Sequence, residues 1–93
     1  MELKDYREQI DSIDNDIVRL FQERMNVAGN IARYKKENGM AVLDKSRERS
    51  KLAELVGKTD EELKSYTHVL YSLIFELSRS WQGRMINDTT ELQ

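Results

Sequence analysis

The sequence predicts an all-α fold of three helices, long, short and long. Three observations carry that reading. No proline occurs in 93 positions, apolar residues recur at alternating three- and four-residue intervals, and the breaks in that rhythm fall at Asn38-Gly39 and Gly57. Leu, Glu, Lys, Arg and Ile are abundant and β-branched runs are missing, which argues against a sandwich, a barrel or an α/β sheet, all of which need frequent turns. The length suits one domain.

The first helix is read over 3–38. Its apolar residues, Leu3, Tyr6, Ile10, Ile13, Ile17, Leu20, Val27 and Ile31, form one seam, and Asn38-Gly39 is a natural C-terminal cap. At 1.5 Å per residue it is roughly 54 Å long. A compact monomer of this size is only about 30 Å across, so the seam overshoots it and has to be covered by a second chain. An obligate homodimer of intertwined helices is expected. The second helix, 45–56, is capped by Asp44 or Ser46, carries Leu52, Leu55 and Val56, and stops at Gly57. Thr59 and Glu62 have the spacing of a capping box. It opens a third helix over 60–85, through Leu63, Tyr66, Leu70, Leu73, Ile74, Leu77 and Trp81 to about Met85, and the polar residues 87–93 are expected to fray.

Charge and composition exclude several functions. Fifteen Lys and Arg against seventeen Asp and Glu, with a pI near 5.4, leave no footprint for nucleic acid or an anionic membrane. The absence of cysteine removes disulfides, thiolate zinc sites and thiol catalysis. The segment Met1-Glu2-Leu3-Lys4-Asp5 lacks the apolar core of a signal peptide, and no apolar run is long enough to span a bilayer, so a cytoplasmic location is expected. No metal constellation is visible and no cofactor is expected. The single histidine, His68, reads as an ordinary helix-surface residue.

The informative anomaly lies in the first helix. Between Leu20 and Val27 the seam position is taken by Arg24, and eleven residues on Lys35 returns to the same face at about 20° offset. Between them lie Ala28, Ile31 and Ala32, so two cations about 16 Å apart flank a floor made mostly of alanine, the outline of a cavity with a positive charge at each end. One reading is structural, with the cations snorkelling or paired with Glu23, Glu37 or a partner-chain carboxylate. The other helices favour a ligand site. Asp44, Arg47 and Glu48 share one face at the start of the second helix, while Ser78 and Gln82 put a hydroxyl and an amide on a face of the third otherwise occupied by Leu and Ile. Arg7, about 25 Å from Arg24 on a straight helix, can reach such a site only from the second chain of an antiparallel dimer.

Together, Arg7-Glu8-Gln9-Ile10-Asp11-Ser12-Ile13-Asp14, Leu20, Glu23-Arg24, Lys35 and Asp44-Lys45-Ser46-Arg47-Glu48-Arg49 resemble the all-helical chorismate mutases, over Leu3 to about Met85. The resemblance implies a domain-swapped homodimer with two sites, each borrowing one arginine. It also implies a Claisen rearrangement of chorismate to prephenate, a concerted step with no proton to move and no nucleophile to activate. By the same resemblance Arg24 of one chain and Arg7 of the other clamp the two carboxylates of the dianion. Lys35 and Gln82 donate to the ether oxygen, Glu48 and the backbone at Asp44 hold the ring hydroxyl, Ser78 contacts the ring carboxylate, and Arg47 orients the carboxylates around it. Some relatives carry Glu where Gln82 stands, and Gln donates without needing an added proton.

Two rival readings remain. An isochorismate-pyruvate lyase resembles the same fold and handles a similar dianion. A non-catalytic dimerisation or regulatory domain would use the seam cations only for structural pairing.

Overall fold

The computed structural model describes the backbone of residues 1–91 and the side chains of residues 1–87. The chain folds into α1 (Leu3–Glu37), α2 (Lys45–Gly57) and α3 (Lys64–Glu91), with a single 3-10 turn at Glu61–Leu63 before α3 and no strand among the described residues. The long, short, long order is as the sequence predicts. No described helix is long and apolar enough to cross a membrane.

Local chemistry accounts for the boundaries. At the start of α1 the Glu2 amide donates to the Asp5 carboxylate at 2.9 Å. The helix ends in a Schellman motif: Gly39 adopts φ 66°, its amide donates to the Lys36 carbonyl, and the Met40 amide donates to that of Lys35 at 2.8 Å. Of the two candidate caps for α2, Asp44 is the one used, accepting from the Arg47 amide at 3.0 Å. The expected capping box at Thr59 does not form. The Thr59 hydroxyl instead donates backward to the Leu55 carbonyl at 2.9 Å, satisfying the C-terminus of α2, and Asp60 becomes the residue before the 3-10 turn. The third helix therefore opens through a tight turn at Glu61–Leu63, and it continues to Glu91, beyond the Met85 expected from sequence. Of the expected tail, residues 92–93 lie outside the described residues.

α1 and α3 meet through small side chains. Ala28, Gly29 and Ala32 are buried on α1, and a Cβ built on Gly29 would lie 3.2 Å from the Trp81 Nε1 and 3.3 Å from the Met85 Cγ. The face of α3 turned inward is not the Leu series, although Ile74 is half-buried. Phe75 and Ser78 are its buried members, whereas Leu63, Tyr66, Leu70, Leu73 and Leu77 are exposed. Large apolar side chains on both long helices thus lie outside the packing of a single chain.

The seam of α1 is open too. Leu3, Tyr6, Ile10, Ile13, Ile17 and Leu20 are 52 to 62% exposed, and among the described residues the buried hydrophobic ones are Ala28, Ala32 and Phe75. The chain measures 57 × 28 × 15 Å with a radius of gyration of 16.8 Å. A compact chain of this length would have a radius of gyration of about 12 Å.

Candidate active site

Three helices converge on a cavity of about 260 Å³, the size of one small ring-bearing molecule rather than a drug-sized ligand. α1 supplies its floor with Val27, Ala28 and Ile31, flanked by Arg24 and Lys35. The first turns of α2 supply Asp44, Arg47, Glu48 and Lys51, and α3 supplies Phe75, Ser78 and Gln82. Every site residue nominated from sequence lines this cavity except Arg7, which is exposed near the far end of α1.

The polar side chains are tethered. Arg24 Nη1 donates to Ser78 Oγ at 2.6 Å, and its guanidinium carbon lies 5.5 Å from the centroid of the Phe75 ring. Phe75 is itself braced by Tyr71, one turn earlier, with ring centroids 5.9 Å apart. Ser78 is buried, and its own hydroxyl donates to the Met25 sulfur with Oγ 3.9 Å from Sδ. Gln82 Nε2 donates to the Ala28 carbonyl at 3.0 Å, joining α3 to the cavity floor. Lys35 Nζ donates to the Val42 carbonyl at 3.3 Å, across the turn that the Schellman motif creates.

The structural pairings considered for the seam cations do not occur within the chain. Glu23 pairs with Arg19 at 3.3 Å, and among the described residues no carboxylate lies within ion-pair distance of Arg24 or Lys35. Both are half-buried with charge left for an incoming anion. The lining carries Arg24, Lys35, Arg47 and Lys51 against Asp44 and Glu48, and it stays net cationic with the adjoining Glu54 and Arg79 included, which complements a dianion. Among the described residues no group of three or more His, Cys, Asp and Glu is placed to hold a metal ion.

Four contributors escaped the sequence reading. Lys51 continues the Asp44, Arg47, Glu48 face by one more turn, so the same spacing would have found it. It is tethered at 3.3 Å to Glu54, whose carboxyl is held below its ordinary range by hydrogen bonds first from Lys58 and then from Lys51. Phe75 precedes Ser78 by one turn and was hidden among the other apolar residues of α3. Val42 acts through its backbone, which no side-chain pattern reveals. Arg79 pairs with Glu48 from α3, a contact between residues 31 apart in sequence.

The model for chorismate mutase type II matches residues 6–83. The chain is 36% identical over 83 residues to a bifunctional chorismate mutase/prephenate dehydratase of Buchnera aphidicola subsp. Acyrthosiphon pisum (strain APS), covering 87% of this chain and 22% of the relative. A protein with the same description from Buchnera aphidicola subsp. Schizaphis graminum (strain Sg) is 33% identical over 88 residues, covering 92% of this chain and 23% of the relative. The chain thus spans less than a quarter of the length of these relatives. No solved structure matches it significantly.

Proposed function

The chain belongs to the chorismate mutase type II family, and from that premise we propose that it converts chorismate to prephenate in the cytoplasm, as an intertwined, domain-swapped homodimer that needs no cofactor. The observation that carries this reading is the one cavity where Arg24, Lys35, Arg47, Glu48, Ser78 and Gln82 meet over a floor of Val27, Ala28 and Ile31.

The reaction is a rearrangement within one molecule, so the protein has to fold the substrate and place charge where charge develops. Arg24, fixed by Ser78 and Phe75, receives one carboxylate through the fork of a guanidinium, which stays charged when desolvated. Arg7 of the second copy receives the other, and holding both ends presses the enolpyruvyl arm over the ring. As the C–O bond breaks, Lys35 and Gln82 donate to the ether oxygen. Charge there is larger in the transition state than in the ground state, which raises turnover rather than only tightening binding. Glu48 and the backbone at Asp44 hold the ring hydroxyl, and Arg47 orients the carboxylates beside it. The proton of Ser78 faces only a thioether, a weak acceptor, so it is available to the ring carboxylate. Enzymatic acceleration of about 10⁶ needs roughly 8 kcal/mol. One preorganised donor is worth about 3 to 4 kcal/mol, so several groups must act together.

The second copy is supported by the open seam and the elongated shape. A side-by-side antiparallel partner would cover Leu3 to Leu20 and bring its Arg7 toward the uncapped side of the cavity. The test is one assay on purified protein. Loss of chorismate absorbance with formation of prephenate is expected. Salicylate and pyruvate from isochorismate would instead establish the lyase, and no turnover of either would leave a non-catalytic domain.

A further inference from the structure

Arg79 has no part in the cavity, yet it holds one of the cavity's two acids. It follows Ser78 on α3, turned about 100° further round the helix, so Ser78 faces Arg24 while Arg79 reaches across to α2. There its Nη1 donates to Glu48 Oε1. Glu48 lines both the 260 Å³ cavity and a second, more open hollow of about 530 Å³ between α2 and α3, and Arg79 lines only the second. Glu48 and Phe75 are thus shared by the two spaces, and the Arg79 guanidinium meets Glu48 from the side of the second. The ion pairs Lys4–Glu8, Arg19–Glu23 and Lys51–Glu54 each sit within one helix, whereas this one joins two.

We infer that Arg79 is a positioning residue for Glu48: it pins and neutralises that carboxylate from outside the cavity, so that Glu48 accepts a hydrogen bond from the ligand's hydroxyl without repelling its carboxylates. The inference rests on the reading of Glu48 given above. A carboxylate in the wall of a dianion site works against binding by like-charge repulsion, and a cation placed behind it removes that penalty without taking up cavity space. A carboxylate has two oxygens with about four acceptor positions, so with Oε1 engaged by Arg79 the Oε2 remains for the ligand. Both partners are partly open to solvent, with side chains 41% and 27% exposed, and pairs of this kind contribute little to folding. Loss of Arg79 should therefore be felt in ligand binding more than in stability.

The test is a double-mutant cycle in full-length chain with chorismate as substrate, using Arg79→Ala, Glu48→Gln and the pair, with Arg79→Lys as the conservative variant. Because the hydroxyl contact is present in both ground and transition states, Arg79→Ala should raise KM about tenfold and change kcat by less than about threefold. Arg79→Lys should recover most of the loss, and Arg79→Ala should add nothing in the Glu48→Gln background. Circular dichroism checks folding, and if Arg79→Ala misfolds, Arg79→Gln completes the same cycle. An Arg79 effect of equal size with and without Glu48, or one that tracks the melting temperature, overturns the inference as a structural effect. A normal Arg79→Ala beside an impaired Glu48→Gln overturns it while sparing the role of Glu48. A normal Glu48→Gln, or a parent protein without turnover, overturns both.

Discussion

Replacing Lys35 with Ala separates a catalytic cation from a structural one, and the structure sets both magnitudes. On the stability side, Lys35 makes one long hydrogen bond, 3.3 Å to the Val42 carbonyl, from a half-buried position in the last turn of α1. A bond of that kind contributes about 1 kcal/mol, and the cation's interaction with the helix C-terminus adds roughly 0.3 to 1 kcal/mol. The Schellman motif uses only backbone groups at this position and survives the change. Folding should therefore weaken by about 1 to 2 kcal/mol, with alanine's helix propensity returning a little of it. On the activity side, removal of one preorganised donor to a developing oxyanion lowers kcat by about 10² to 10³, or 2.7 to 4 kcal/mol. The measurements are kcat from chorismate disappearance at saturating substrate, a thermal melt by circular dichroism, and sedimentation to confirm an unchanged assembly. A folded Lys35→Ala protein with kcat within about threefold of the parent would refute the mechanism, since less than 1 kcal/mol of barrier would then belong to this side chain.

The assembly supplies two further tests. Ile13→Glu sits on an exposed face of the single chain and should leave its helical content intact, but in the proposed dimer it buries a carboxylate; sedimentation should show monomers with lost activity, and an unchanged mass would contradict the covered seam. Equal mixing of Arg7→Ala and Lys35→Ala chains should restore about a quarter of parental activity, because half the dimers are mixed and each of these has one intact site out of two. Activity no higher than that of the separate variants would argue against an arginine shared across the interface. Gly83 lies in α3 with nothing within 4 Å of the place a Cβ would occupy, so Gly83→Ala should raise stability by about 1 kcal/mol and leave kcat unchanged, as read from melts and initial rates. Nothing in the structure explains why glycine stands there.

The parts of this fold legible in sequence are those governed by local pattern. The α1 seam, the cap at Asn38-Gly39 and the Arg24/Lys35 face all follow from spacing on one helix, whereas the sequence leaves Asp44 and Ser46 both open as caps of α2 and the structure uses Asp44. Where two local solutions competed, sequence could not choose: Thr59 can cap forward onto Glu62 or donate back to Leu55, and the short link makes the second available first. The apolar residues of α3 are a second case. Leu70, Leu73 and Leu77 are the more apolar set, yet they remain outward, while Trp81, Gln82 and Met85 meet the small residues Ala28 and Gly29 and Ser78 meets Arg24. Hydrophobicity tells which faces need covering, not which chain covers them. Arg79 was invisible because its partner lies 31 residues away on another helix.

What unites the site is that its donors are anchored without being exhausted. A lysine ammonium has three donors, and Lys35 directs one to Val42. A guanidinium has five, and Arg24 directs one to Ser78 while its face rests on Phe75. A glutamine amide has two, and Gln82 directs one to the Ala28 carbonyl, which fixes which way the amide faces and leaves the second N–H free to turn to the cavity. Each anchor is a neutral carbonyl or hydroxyl rather than a carboxylate, so the side chain is held in place while its charge stays uncompensated. A carboxylate partner would have fixed the same geometry and cancelled the field. For the proposed rearrangement, which has no proton to transfer, the useful property of these groups would be a cationic field already in position before the substrate arrives, and neutral tethers would supply it without the cost of rearrangement at the moment of bond breaking.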